Sequence, residues 1–203
     1  MPTPEEAFVD AWLIEHQLDH FSYDDGTSDD LVFDWVRQQG PEDWHRYATG
    51  FNWDSGTEIA RWIIDQPGCD KGTALYLYYA ASPGFYAQYP SIEAARAAYI
   101  DEEAVELMTA ICANWAAGRY TAYRFNPDWV FGDTMPADAE ARLALANSLF
   151  WAVPEDMARA GSEGVEPEGD SAEGLPPALD AAIRARFEPW EAYQRRSGAP
   201  PDA

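Results

Sequence analysis

The chain has 203 residues, of which 36 are acidic and 13 are basic, so its formal net charge is −23 at pH 7. Hydrophobic residues make up 47% and aromatic residues 14% of the sequence, which excludes an acidic disordered segment and predicts a domain with a core. A strong negative field repels nucleic acid and anionic membrane, so we expect neither as a partner, and it attracts basic proteins and cations.

The location of the protein follows from its cysteines and its apolar runs. Cys69 and Cys112 are 43 positions apart and no second cysteine lies near either one, so neither a disulfide framework nor a zinc ribbon is predicted. The N-terminus lacks the positive region of a cleaved signal, and the longest apolar run, residues 74–81, is far below the roughly 18 residues of a membrane span. We expect a soluble, cytoplasmic protein without a cofactor.

Helical periodicity recurs along the chain, with apolar side chains at i, i+3, i+4 and i+7. In chain order the stripes are Val9, Trp12, Leu13 and His16; Trp44, Tyr47, Ala48 and Phe51; Ile59, Trp62 and Ile63; Ala74, Leu77, Tyr78 and Ala81; Ala104, Leu107, Met108, Ile111, Cys112 and Trp115; Leu145, Ala146, Leu149 and Phe150; and Leu179, Ala182, Ile183 and Trp190. Only residues 120–125 have the pattern of a short strand. The sequence predicts an all-α fold.

Start signals accompany these stripes. Thr3 with Glu6, and Ser55 with Glu58, match the capping box, in which two side chains satisfy backbone donors at a helix start. Further N-caps are predicted at residues of the usual types, namely Ser28, Asp70, Ser91 and Asp101.

The stripes that begin at Trp44, Ile59 and Ala74 are spaced by 15 residues. Short connections between short helices are typical of antiparallel neighbours, so we expect helical hairpins in a bundle or in a short α-solenoid-like stack. Residues 161–174 contain five acidic residues and no basic one, which is typical of a flexible linker or loop. The predicted organisation is an acidic helical domain (1–160), this linker, and a C-terminal helix (175–203) that docks back onto the acidic body.

An aspartate cluster surrounds Gly26 in the segment S-Y-D-D-G-T-S-D-D. It comprises Asp24, Asp25, Asp29 and Asp30. The spacing does not fit a calcium loop, because the oxygen ligands do not alternate around the glycine and no glutamate closes the loop. Two interpretations stay open: helix capping with solvated charge, and contact with a cation or a basic protein.

His16 and His20 are four residues apart on the first predicted helix, close to Asp19. Two imidazoles one helical turn apart can share a zinc ion, so a metal-binding protein or a hydrolytic enzyme is an alternative function. The segment H-Q-L-D-H lacks the glutamate of the H-E-x-x-H motif, and His16 lies on the apolar stripe, which favours a core histidine.

The most distinctive block runs from residue 44 to residue 89. It contains Asn52, Trp53, Asp54 and Gly56 in one turn, Pro67, Cys69 and Asp70 in a second, and then Thr73, Ala74 and Leu75. This order of N-W-D-x-G, P-x-C-D and T-A-L resembles the bacterial domain-of-unknown-function family number 4274. The resemblance implies a helical bacterial domain and brings no catalytic residue.

Each motif in this block also has a structural explanation. Asp54 or Ser55 can cap the following helix, Asp70 can cap the next one, and Cys69 is interpreted as a structural cysteine rather than a nucleophile. Trp53, with Asp54, is expected to be exposed in its turn and to contribute to partner binding.

No phosphate loop, G-x-S-x-G motif or paired CxxC is present in the sequence, which favours a protein that is not an enzyme. The first hypothesis is an acidic protein-binding module of the immunity or antitoxin type, whose partner is a basic toxin or effector. Its predicted binding residues are Asp24, Asp25, Asp29, Asp30, Trp53 and Asp54. A scaffold module that binds a helix in its groove is the third possibility.

Overall fold

The computed structural model describes residues 1–50, 52–98, 102–127, 135–136, 138–161, 163–167 and 171–197, with Asp54 described by its backbone alone. Within these ranges the protein is all-α, which confirms the predicted fold class, and β-pairing is limited to isolated bridges. The helices are α1 (Pro4–Glu15), α2 (Thr27–Arg37), α3 (Pro41–Gly50), α4 (Glu58–Asp65), α5 (Lys71–Ala80), α6 (Pro83–Tyr86), α7 (Ile92–Ala97), α8 (Glu102–Ala116), α9 (Ala139–Ser148), α10 (Glu155–Arg159), α11 (Pro177–Arg184) and α12 (Trp190–Ser197).

Several helix starts are as predicted. The capping box at α1 is present, since Thr3 N donates to Glu6 Oε2 (2.8 Å) and Glu6 N donates to Thr3 Oγ1 (3.2 Å). Asp70 caps α5 and Ser91 caps α7 through their side chains. The predicted cap Asp101 lies outside the described residues. These local signals were readable because each bond joins residues within one turn.

The second predicted capping box was wrong. Ser55 belongs to a short 3-10 helix, Trp53–Ser55, and the N-cap of α4 is Thr57, which makes no side-chain cap bond within its own helix. The Thr57 hydroxyl instead donates to Glu103 Oε2 over 3.1 Å. A carboxylate 46 residues away in sequence thus replaces the local partner.

The described residues fall into two compact units, residues 1–39 with 170–203, and residues 40–169. In the first unit α1 packs against α11, and the buried side chains include Val9, Leu13, Leu31 and Leu179. The backbone of the C-terminal segment pairs with the loop after α1: Phe21 N donates to Arg186 O, and Glu188 N donates to Phe21 O, each over 2.9 Å. The domain boundaries suggested at residues 160 and 174 stay a prediction.

The second unit is organised around α5. Every residue from Gly72 to Tyr79 is buried, because α3, α4 and α8 all pack against this helix. No single apolar stripe describes such a helix, which is enclosed on all sides. α9 packs against α10, and buried Arg142 of α9 donates to the carbonyl oxygens of Pro136, Ala158 and Arg159.

The segment predicted as a strand, residues 120–125, forms a strand nowhere, and Phe125 has only an isolated parallel bridge to Val165. In that bridge Val165 N donates to Arg124 O (2.9 Å) and Asn126 N donates to Val165 O (3.0 Å). Residues 163–167 of the predicted linker are therefore paired in part, whereas residues 162 and 168–170 lie outside the described ranges.

None of the helices described by the structure has the length and apolar character that crossing a membrane requires.

Candidate partner-binding surface

The aspartates before α2 have separate roles. Asp25 Oδ1 accepts hydrogen bonds from the backbone N (3.0 Å) and the hydroxyl (2.7 Å) of Thr27, so it satisfies donors at the start of the helix. The N-cap position is held by Gly26 with a φ of 69°, a left-handed conformation that suits glycine. Ser28 as an N-cap was therefore wrong, since it already lies inside the helix, which begins at Thr27.

Asp24 is paired with the C-terminal helix. Arg196 Nη1 lies 3.1 Å from Asp24 Oδ2, while its Nη2 donates to Ser22 Oγ (2.8 Å) and to Glu188 Oε1 (2.7 Å). The hydrogen bond from Arg196, followed by that from Ser22, holds the pKa of Asp24 below its usual range. One of the four predicted binding carboxylates is thus already engaged in an ion pair within the chain.

Asp29 and Asp30 form no ion pair with a basic side chain among the described residues. Both lie in the first turn of α2, where the helix dipole favours carboxylates. Partial removal from water, and then the neighbouring charge of Asp30, raise the pKa of Asp29. In the described part of the chain, no basic side chain forms an ion pair with either residue, so an external cation can approach them.

An aromatic cluster includes Tyr23, which directly precedes Asp24 in the sequence. The ring of Tyr23 lies 5.2 Å from that of Trp190 and 5.2 Å from that of Tyr193, both in edge-on geometry. Tyr23 is 47% exposed and Trp190 44% exposed. Large exposed aromatic side chains beside charged groups are typical of residues that dominate protein interfaces.

The aromatic cluster was not predicted from the sequence. The apolar stripe placed Trp190 on one helix with Leu179 and Ile183, whereas the structure ends α11 at Arg184 and begins α12 at Trp190. Trp190 therefore faces Tyr23 rather than the core. A signal was available in the spacing of Trp190 and Tyr193, which are three residues apart and share a helix face.

The remaining predicted binding residues, Trp53 and Asp54, belong to the second unit, whereas the four aspartates belong to the first. Trp53 is half-buried in a short 3-10 helix. The expectation that its side chain is exposed was therefore wrong. The side chain of Asp54 lies outside the described residues.

The proposed histidine pair does not lie on one helix. α1 ends at Glu15, His16 is its C-cap, and Gln17 has a φ of 58°, so the chain turns away before His20. His16 is exposed and stacks on Trp12 with ring centroids 3.8 Å apart, so its interpretation as a core histidine was wrong. The described residues contain no group of three His, Cys, Asp or Glu side chains placed to hold a metal ion.

Within the motif block of the second unit, the side chain of Asp70 is fully buried. Its Oδ1 accepts from Gly72 N (2.9 Å) and Phe125 N (3.2 Å), and its Oδ2 accepts from Arg124 N (2.9 Å). The carboxylate thus caps α5 and also fixes the segment after α8. The helix-capping prediction for Asp70 is confirmed, but its bonds to residues 124 and 125 had no sequence signal.

A buried histidine and hydroxyl lie in the same region. His45 Nδ1 is 2.9 Å from Thr73 Oγ1, and its ring stacks on that of Phe125 at 4.9 Å. Burial lowers the pKa of His45 to about 4, so the imidazole is neutral at physiological pH. Burial also raises the pKa of the Cys69 thiol. Because His45, Thr73 and Cys69 are all buried, this cluster presents no nucleophile to a substrate and supports the structural interpretation of the motif.

Comparison with known proteins gives a match that lies in the second unit apart from residue 39. Residues 39–119 match the family model described as "Domain of unknown function (DUF4274)", which confirms the resemblance that the motif block indicated. The chain matches no curated protein and no solved structure.

Proposed function

We propose that this chain is an acidic protein-binding module of the immunity or antitoxin type, which neutralises a basic bacterial effector by covering its positive surface. The observation that carries the proposal is the surface at the start of α2, where Asp29 and Asp30 are unpaired among the described residues and follow the exposed ring of Tyr23. Basic side chains are attracted by such carboxylates and can stack on such a ring.

Charge density supports the choice of the first unit as the binding unit. Residues 1–39 and 170–203 contain 16 acidic and 5 basic side chains, a net of −11 on 73 residues, against −12 on the 130 residues of the second unit. The four described basic residues that pair within the first unit are Arg37, Arg184, Arg186 and Arg196. The surplus negative charge gives long-range attraction to a basic protein and accelerates encounter.

The chain's own Arg196 illustrates how this surface holds a guanidinium group. Its Cζ atom lies 5.5 Å from the centroid of the Tyr193 ring, and its nitrogens pair with Asp24 and Glu188. An arginine or lysine of a partner would find the same two chemistries, an aromatic face and a carboxylate, at Tyr23 and Asp25.

The test is binding of the purified chain to the product of the gene beside its own, measured by surface plasmon resonance from about 0.05 M to about 0.3 M salt. The variant Asp29→Asn/Asp30→Asn removes two unpaired charges. Glu58→Gln/Glu166→Gln removes two exposed carboxylates from the second unit and serves as the charge-matched control.

We expect the Asp29/Asp30 variant to associate several-fold more slowly than the wild type at low salt, and this difference to shrink as salt increases. The control should slow association less. Binding that is insensitive to salt, or equal losses in both variants, would contradict a specific acidic surface on α2.

A further inference from the structure

Helix α1 has apolar side chains on two faces. One face, with Val9 and Leu13, is buried in the first unit. The second face carries half-buried Phe8 and exposed Ala11, spaced by three residues, and Trp12 lies between the two faces. A helix that covers only one of its apolar faces leaves the other as a surface for a partner.

The last turns of α2 form the opposite wall of a groove along this second face. One part of the groove, with a volume of about 370 Å³, is lined by Phe8, Ala11, Trp12, Glu15, Asp34, Arg37 and Gln38. A second part shares Phe8 and Gln38 with the first and continues towards Pro4 and Trp35. The floor is fixed by a hydrogen bond from Trp12 Nε1 to Asp34 Oδ2 (2.9 Å).

The rim of the groove is acidic. Glu5 lies at one end, Glu15 and Asp34 lie at the other, and Arg37 pairs with Asp34 over 3.4 Å. Three carboxylates against one guanidinium leave a net charge of −2 around an apolar floor. The complementary ligand has an apolar face flanked by positive charges.

We infer that this groove binds a basic amphipathic helix of the protein partner, an inference that rests on the proposed function and names a second contact surface on the same unit. Two helices that leave an apolar groove between them accept a third helix, whose residues at i, i+3, i+4 and i+7 enter the groove. The described residues offer no open sheet edge on which an extended peptide could add a strand. α1 has 12 residues and is about 18 Å long, so it matches a helix of about three turns.

The probe is a synthetic peptide of about 14 residues, long enough for three to four helical turns, with leucine at i, i+3, i+4, i+7 and i+11 and lysine or alanine elsewhere. A scrambled peptide of the same composition has the same charge without the apolar face. Binding is measured by calorimetry with the full chain, and the NMR signal of the Trp12 indole N–H reports contact at the groove floor.

Two matched variants place the same new side chain inside and outside the groove. Ala11→Lys puts bulk and positive charge on the groove wall, whereas Ala7→Lys puts them at an exposed position of α1 that does not line the groove. Both residues are exposed and both substitutions keep a good helix former, so both variants should fold. Thermal unfolding of each confirms this before binding is measured.

We expect the amphipathic peptide to bind at least tenfold more tightly than the scrambled one and to shift the Trp12 indole signal. Ala11→Lys should weaken binding at least tenfold, and Ala7→Lys less than threefold. Equal affinity for the two peptides, or an equal loss of affinity in the two variants, would overturn the proposal that the groove binds a helix. Either result would indicate unspecific attraction between charges.

The same variants separate this inference from the proposed function when they are tested against the neighbouring gene's product. Loss of that binding in Asp29→Asn/Asp30→Asn but not in Ala11→Lys would overturn the groove alone. Loss in Ala11→Lys alone would support the groove and contradict the α2 surface. Absence of any binding to that product would overturn the proposed function, whatever the peptide does.

Discussion

The guanidinium of Arg196 lies 3.1 Å from the carboxylate of Asp24, although the two residues are 172 positions apart in the sequence. Arg196 also donates to Glu188, whose side chain is almost fully buried. A single arginine of the last helix thus pairs with one carboxylate of the acidic loop before α2 and with one of its own segment, so its positive charge is shared between them. The acidic surface left for a partner is therefore smaller than the sequence suggested.

Replacing Arg196 should raise two carboxyl pKa values. Hydrogen bonds from Arg196 are the main cause that lowers the pKa of Asp24 and of Glu188, so in Arg196→Ala both should return towards their ordinary values, about 4. Heteronuclear NMR titration of the side-chain carbonyl signals measures both, and Arg195→Ala is the control on the same helix.

The lowered pKa values of Asp24 and Glu188 make the contribution of this ion pair to folding stability depend on pH. The pair stabilises the folded state above the pKa that the carboxyls have in the unfolded chain, and this contribution is lost as pH falls through the lower folded values. Arg196→Ala should therefore be less stable than the wild type at neutral pH, and the difference between the two should shrink as pH falls through the folded-state pKa values. Unchanged carboxyl titration in Arg196→Ala would show that the ion pair is not formed in solution.

His45 should make the folded state sensitive to mild acid. Its pKa is about 4 in the folded protein against an ordinary value of 6.5, so the unfolded chain binds more protons between these limits. Stability should consequently fall as pH decreases from about 6.5 towards 4. Urea unfolding at several pH values measures this slope, which His45→Gln should reduce and the exposed His16→Gln should leave in place.

Asp70→Ala should destabilise the protein strongly. The change removes the acceptor of three backbone N–H groups, those of Gly72, Arg124 and Phe125, and each unsatisfied buried donor costs about 1–3 kcal/mol. We expect a loss of about 3 kcal/mol or more in urea unfolding. Asp138→Ala removes an exposed cap that bonds only the start of α9, and should cost about 1 kcal/mol.

Asp70→Asn is a milder second variant, which is measured in case Asp70→Ala does not fold. It keeps one acceptor oxygen at nearly the same volume, so it should be destabilised by less than Asp70→Ala. Equal stability of Asp70→Ala and Asp138→Ala would mean that the bonds to residues 124 and 125 contribute nothing.

Gly72→Ala should also destabilise, although alanine is the better helix former. A Cβ atom at residue 72 would lie 1.9 Å from the carbonyl oxygen of Phe125, a backbone atom that cannot move without displacing its segment. We expect a loss of about 2 kcal/mol, typical of overpacking. At Gly84 the nearest atom, Leu145 Cδ1, is 4.0 Å away, so Gly84→Ala should be neutral or stabilise by up to about 1 kcal/mol. The thermal midpoints of the two variants are compared with that of the wild type. A midpoint of Gly72→Ala as high as that of Gly84→Ala would contradict the prediction.

The sequence by itself determined the fold class and many helix starts, because these depend on residues within one or two turns. Periodic apolar stripes indicated the buried faces of α1 and α3, and Thr3, Asp70 and Ser91 were recognised as caps from residue type and position alone. The ordered N-W-D-x-G, P-x-C-D and T-A-L motifs also indicated the family whose model matches residues 39–119.

Only the tertiary structure decided which charges and rings are available to a partner. Asp24 and Arg196, or Tyr23 and Trp190, meet through contacts between segments more than 160 residues apart, and no local pattern encodes such a contact. The same reason explains the error at Ser55, because Thr57 bonds to the distant Glu103. The error at His16 has a local cause, since α1 ends at Glu15 and the chain turns away at Gln17. Local sequence determines where most helices form, whereas packing between distant segments determines which charged and aromatic side chains remain exposed to a partner.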